Sequence, residues 1–134
     1  GRPMPNISIS HRDGQAIAVA TPTGRAGIDM ECIETRAASF AETWFRPSER
    51  EHCQGDARRE SKVWAVKEAV LKVLGTGMRL DPRDVEVLSM NDSQVNVRLW
   101  GSARARHAAL GGGEIKIDLE DEQTMVIAVA WMAS

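Results

Sequence analysis

The chain has 134 residues, 43% of them hydrophobic and 27% charged, with a formal net charge of -2. That length suits one domain with a real core, and the composition excludes disorder and a fibrous repeat. A pI near 5.9 removes the electrostatic case for nucleic acid as the default partner, and no apolar stretch is long enough to cross a membrane as a helix.

Residues 7–20 read as a hairpin: Ile7 and Ile9 alternate with serines, His11 to Gln15 carries turn chemistry, and Ala16 to Ala20 is apolar. A strand follows over Ala26 to Ile33, in which Ile28 and Met30 alternate with Asp29 and Glu31. Residues 36–45 predict a helix with Phe40, Trp44 and Phe45, stopped at Pro47, and the hydrophilic stretch Arg46 to Lys62 predicts a loop or short helices. Residues 60–74 carry the longest helical pattern, ended by Gly75-Thr76-Gly77. Val85 to Leu88 and Val95 to Leu99 predict a hairpin around Asn91-Asp92-Ser93. Residues 102–110 suit a short helix, and Ile115 to Leu119 with Met125 to Trp131 a last hairpin. The sum is an α+β fold, an antiparallel sheet packed on one long helix. Cys32 and Cys53 have no ligand-like spacing, so neither a disulfide framework nor a zinc site is expected, and the compartment reads as reducing and cytoplasmic. The chain begins at Gly1 rather than Met, which reads as a piece cut from something longer.

On a helical wheel centred on Glu68, Val66, Val70 and Val73 fall on the far side with Val63 and Leu74 close by, while Ser61, Trp64 and Lys72 fall beside Glu68 and Leu71 flanks them. Glu68 and Lys72 are either an ordinary exposed i,i+4 pair or part of a working face, and a large aromatic on the charged strip favours a face that meets something. Asp29 and Glu31 fall on one side of a strand, about 7 Å apart. They form either a solvated face or a hard-cation site of the kind Mg²⁺ takes, with Glu68 as the candidate third carboxylate. Ser10, His11 and Arg12 read either as surface turn residues or as hydroxyl, imidazole and guanidinium donors for a phosphate. No P-loop, G-x-S-x-G elbow, H-E-x-x-H or C-x-x-C motif is present, and Gly111 to Gly113 reads as a turn.

Three segments in this order resemble the 4′-phosphopantetheinyl transferase superfamily: Ile9-Ser10-His11 with Ala16 to Ala20 after it, Gly27-Ile28-Asp29-Met30-Glu31, and Trp64-Ala65-Val66-Lys67-Glu68-Ala69-Val70-Leu71-Lys72. The last is the family's W-x-x-K-E-A-x-x-K signature, complete. The resemblance implies an enzyme that moves the phosphopantetheine arm of coenzyme A onto a serine of an acyl or peptidyl carrier protein, with Mg²⁺, releasing adenosine 3′,5′-bisphosphate. It implies Asp29, Glu31 and Glu68 as metal ligands and Lys72 on the pyrophosphate. Ser10, His11 and Arg12 would meet coenzyme A phosphates, and Lys67 would belong to the cofactor-binding set, supporting the site rather than acting in the chemistry. Glu68, directly or through water, would be the base toward the carrier serine.

The motif order resembles the two-lobed surfactin-synthetase-activating type, the length the single-lobed, trimeric holo-acyl-carrier-protein-synthase type. The expected division is a hairpin over 1–25 ahead of a catalytic lobe over 26–134. The coenzyme A pocket would be completed by a second copy, as in a trimer, or by a missing upstream lobe. A polyketide or fatty acid synthase would be the parent. The competing class is a non-catalytic carrier-binding or structural domain of the same fold. Carrier domains are usually acidic near their modified serine, so Arg46, Arg50, Arg58 and Arg59 are docking candidates. No nucleic-acid or membrane partner is expected.

Overall fold

The computed structural model describes residues 6–12, 15–21, 24–75, 80–91 and 94–133, with side chains from residue 24 onward. Its elements follow the chain as β1 (Asn6–Arg12), β2 (Gln15–Thr21), β3 (Arg25–Cys32), α1 (Ala38–Trp44), α2 (Pro47–Cys53), α3 (Ala57–Leu74), β4 (Val85–Met90), β5 (Val95–Leu99), α4 (Gly101–Ala109), β6 (Ile115–Asp121) and β7 (Met125–Met132). A single 3₁₀ turn, Pro82–Asp84, leads into β4.

β3, β7 and β6 form a three-stranded antiparallel sheet in that order, and β1-β2 and β4-β5 are hairpins. β7 is the central strand, paired with β3 from Arg25↔Met132 to Cys32↔Met125 and with β6 from Ile115↔Met132 to Asp121↔Val126. α3 lies across β3 and β7. Its stripe of Val63, Val66, Val70, Val73 and Leu74 is buried against Val126, Ala128, Ala130 and Met132 of β7 and Val85 and Val87 of β4. The expected α+β layering and the expected core stripe are both present.

Two stretches differ from the sequence expectation. Within Arg46 to Lys62 the chain forms the short helix α2, as one of the two expected alternatives, but α3 also begins inside this stretch. α2 has Pro47 at its first position, where the missing N–H costs nothing. α3 starts at Ala57, three residues before the expected 60, because the Asp56 carboxylate accepts the Arg59 N–H at 2.9 Å and caps it.

The second difference concerns faces. Alternation along β3 suggested that Asp29 and Glu31 face water. Directly opposed residues of an antiparallel pair share a face, and Gly27, Asp29 and Glu31 oppose Ala130, Ala128 and Val126, which are in the core that α3 covers. Both carboxylates therefore lie on the helix side of the sheet, and Ile28 and Met30, on the other side, are also fully buried. Among the described residues, no helix is long and apolar enough to cross a membrane.

Removing the cap with Asp56→Ala should lower stability by about 1 kcal/mol, read as a lower urea midpoint with an unchanged m-value.

Candidate active site

β3 approaches α3 more closely than side chains usually permit. A Cβ placed on Gly27 would lie 2.2 Å from the Ala69 carbonyl oxygen and 2.9 Å from the Lys72 Cβ, so only glycine fits while the helix keeps its place. The approach brings the strand's carboxylates against the helix's polar strip. Lys72 Nζ donates to the Ile28 carbonyl at 2.6 Å and stands 3.5 Å from Asp29 Oδ1.

Asp29 and Glu31 are 6% and 4% exposed, which disposes of the solvated-face reading. Burial pushes the Asp29 carboxyl from 3.8 up to about 9, helped by a hydrogen bond with Glu31 and by that carboxylate's charge; Lys72 pulls it back and the Glu68 charge pushes it further. Asp29 Oδ2 is buried without a hydrogen-bond partner. Glu31 Oε1 lies 3.5 Å from Arg36, whose guanidinium also donates to Ser61 Oγ at 2.8 Å. Ser61 was expected on the polar strip beside Glu68, but it is fully buried and instead steadies Arg36. Among the described residues, no group of three His, Cys, Asp or Glu stands close enough to hold a metal ion. The chemistry of the set still fits a hard divalent cation: a buried acceptor oxygen without a donor, a second carboxylate beside it, and a third, Glu68, near enough for its charge to be felt.

Beside these groups runs a cavity of about 730 Å³ whose walls combine the charged Glu68 and Lys72 with the apolar Trp44, Trp64, Leu71 and Leu80. Trp64 is held edge-on by Phe40 at 4.9 Å and faces Trp44 at 6.2 Å. The aromatic on the charged strip is thus a cavity wall, half-buried because one side is open. A volume of this order, apolar along one wall and charged along the other, is that of a small-molecule site.

The model of the 4′-phosphopantetheinyl transferase superfamily matches residues 25–130. The chain belongs to this superfamily. Among its relatives, the holo-[acyl-carrier-protein] synthase of Rhodopseudomonas palustris is 32% identical over 111 residues, spanning 75% of this chain and 80% of that protein. The fatty acid synthase subunit alpha of Saccharomyces cerevisiae is 29% identical over 80% of this chain, which covers only 6% of that subunit. The holo-[acyl-carrier-protein] synthase of Roseiflexus is 36% identical, and the match covers 58% of it. Among solved structures, the holo-acyl-carrier-protein synthase of Plasmodium yoelii aligns with a TM-score of 0.69 at 25% identity, covering 84% of this chain and 94% of that one. The acyl carrier protein synthase of Mycobacterium tuberculosis aligns at 0.61 with 30% identity, covering 84% and 97%.

The expected site residues divide. Asp29, Glu31, Glu68 and Lys72 converge at the β3–α3 seam. Ser10, His11 and Arg12 lie on β1, opposite Ile17, Ala16 and Gln15, and their side chains fall outside the described residues. Lys67 does not reach the cavity. Its side chain is fully buried, and its ammonium donates to Glu49 Oε1, the Val85 carbonyl and the Pro82 carbonyl at 2.7, 2.6 and 3.0 Å, so no donor is left for a coenzyme A phosphate. The physical reason is the helix angle: one position from Glu68 turns the side chain about 100° away. Burial lowers the Lys67 pKa and Glu49 pulls it back up.

Of the docking arginines, Arg58 is tied to Asp121 and to the carbonyls of Glu122 and Gln123, and Arg46 donates to the Arg83 carbonyl and stacks over Trp100. Arg36 and Glu49 escaped the sequence reading. The only signal for Glu49 was Pro-x-Glu at a helix start.

Gly27→Ala should cost about 2–3 kcal/mol, at the upper end for an overpacked core, because the obstacle is a backbone carbonyl; equilibrium unfolding measures it. The folded protein keeps a proton on Asp29 that the unfolded chain releases between pH 3.8 and about 9. Since the native state binds more protons there, stability without divalent cations falls as pH rises through that window. Thermal unfolding from about pH 5 to about pH 8 should show the melting temperature falling, and Asp29→Asn should flatten that slope.

Proposed function

We propose that this lobe transfers the 4′-phosphopantetheine arm of coenzyme A to a serine of an acyl or peptidyl carrier domain. The observation that carries the reading is the cavity at the β3–α3 seam, where Glu68 and Lys72 face a Trp44–Trp64 wall and two buried carboxylates adjoin them. A ligand with a pyrophosphate at one end and an uncharged arm at the other matches that division. Relatives named as holo-[acyl-carrier-protein] synthases, and a Helicobacter pylori synthase solved in complex with coenzyme A that shares the fold at a TM-score of 0.65, support the substrate pair.

In this reading Lys72 leaves the Ile28 carbonyl for the pyrophosphate, where its charge offsets the negative charge that grows on the leaving group. Glu68 accepts the proton of the carrier serine as its hydroxyl oxygen attacks the phosphorus nearer the pantetheine. The bond from that phosphorus to the bridging oxygen breaks, and adenosine 3′,5′-bisphosphate leaves with the electron pair. Asp29 and Glu31, with Glu68, would hold Mg²⁺, which when bound neutralises pyrophosphate charge. Ser10, His11 and Arg12 would contact the remaining phosphates. The Trp44 and Trp64 rings line the uncharged arm and keep water from it.

The pocket's remaining wall comes from a second copy of the chain or from an upstream lobe of a larger synthase, and the yeast subunit, in which the matching region is 6% of the length, supports the second arrangement. A reducing, cytoplasmic compartment suits a chain in which Cys32 and Cys53 are not joined to each other by a disulfide.

Incubated with coenzyme A, Mg²⁺ and an apo carrier, the folded protein should add the mass of one phosphopantetheine to the carrier. Glu68→Gln should lower kcat by at least about 100-fold through loss of the base. A carrier that is bound but never modified would make the domain a non-catalytic carrier-binding one. An active Glu68→Gln would remove the role given to that residue.

A further inference from the structure

One wall of the cavity is made by residues 80–82, between α3 and β4, where the 3₁₀ turn that begins at Pro82 is the one regular element among the described residues. What fixes them lies on the other side of the helix. Lys67 reaches through the core and binds the two carbonyls at either end of the 3₁₀ turn, those of Pro82 and Val85. The third donor meets Glu49 Oε1. Glu49 in turn accepts the backbone N–H of Val87 at 2.7 Å and of Arg46 at 2.8 Å. Both side chains are completely buried, and every ammonium proton and both carboxylate oxygens are used.

We propose that the Lys67–Glu49 pair is a positioning device for the transferase groove: it clamps the turn that carries Leu80, Asp81 and Pro82 to α3, and so sets the gap between that wall and Glu68 and Lys72. A buried ion pair contributes little net stability compared with an apolar pair of similar volume. What this one supplies is direction, because five hydrogen bonds from two side chains join α3, α2, β4 and the turn in one register. Pro82 shows the connection at atomic scale: its carbonyl is held by Lys67 while the residue lines the cavity. Lys67 and Glu49 are thus positioning residues and touch no substrate.

The test uses the double variant Glu49→Gln/Lys67→Met, which removes both charges together and keeps an acceptor for the Val87 N–H; single neutralisations would strand a buried charge. Glu49→Asp, which keeps the charge but shortens the reach, serves if the double variant does not fold. Two readouts are needed. Amide exchange over residues 80–87 should speed up by about tenfold or more while the centre of α3 is unchanged. The KM for coenzyme A should rise about tenfold with kcat within about twofold, the pattern of lost ground-state positioning. A merely structural role would lower the active fraction, hence apparent kcat, and leave KM alone. Unchanged exchange over 80–87, or an unchanged KM in a folded variant, overturns the proposal. The KM arm rests on the groove's proposed use for coenzyme A. A wild-type chain that transfers nothing would sink that reading, and the exchange result then decides the clamp by itself.

Discussion

Everything else in this lobe depends on how closely α3 sits on β3. With no side chain on Gly27, the helix backbone at Ala69 comes down onto the strand, and the small Ala128 and Ala130 on the neighbouring strand let it stay there. Three things follow. The carboxylates of β3 are enclosed between sheet and helix. Lys72 comes within reach of the Ile28 carbonyl. The valine stripe of α3 is driven into the core at the same time, so hydrophobic burial across that stripe is the force that holds charged groups together at the seam.

The two flanks of α3 carry buried charge in opposite conditions. On one flank Lys67 and Glu49 have every polar atom matched, which is what a charge pair at full burial requires to persist. On the other, Asp29 keeps an oxygen without a donor and its carboxyl is pushed up to about 9 by burial and by Glu31. The same helix thus holds a satisfied network and an unsatisfied one, about a third of a turn apart. Buried groups left unsatisfied are frequent where a ligand binds, so the contrast points to this seam without reference to any motif.

Much of this was legible in the sequence because it is carried by periodicity: the valines of α3, the hairpins around Asn91 and Glu122, and the placing of Glu68 and Lys72 on one face of the helix. Facing was less legible. Alternation on β3 says that Asp29 and Glu31 share a side, but not which side a helix will cover, and here the covered side is theirs. Lys67 was misplaced for a related reason. Beside Glu68 in the signature it reads as one of the cofactor-binding set, and nothing nearby announces that Glu49, eighteen residues earlier, will meet it in the core. Contacts of that range depend on where α2 docks against β4, which no local pattern encodes.

The nine residues from Trp64 to Lys72 can now be read as five separate geometric demands on one helix. Trp64 must be large and flat, because it walls a cavity beside charge. Lys67 must be long and cationic to span the core to two carbonyls and a carboxylate. Glu68 must be a carboxylate within electrostatic reach of Asp29. Ala69 must be small where the strand presses on its carbonyl, and Lys72 must reach over Gly27 to the next carbonyl along. Leu71 and the valines complete the turn with wall and core. Trp64, Glu68 and Lys72 share one face of the helix and Lys67 and Ala69 lie about 100° to either side of Glu68, yet each makes its own contact, so no single substitution relieves two of them. That independence is why so short a pattern specifies the lobe, and why its Gly27 counterpart on β3, contributing no side chain at all, belongs to the same motif.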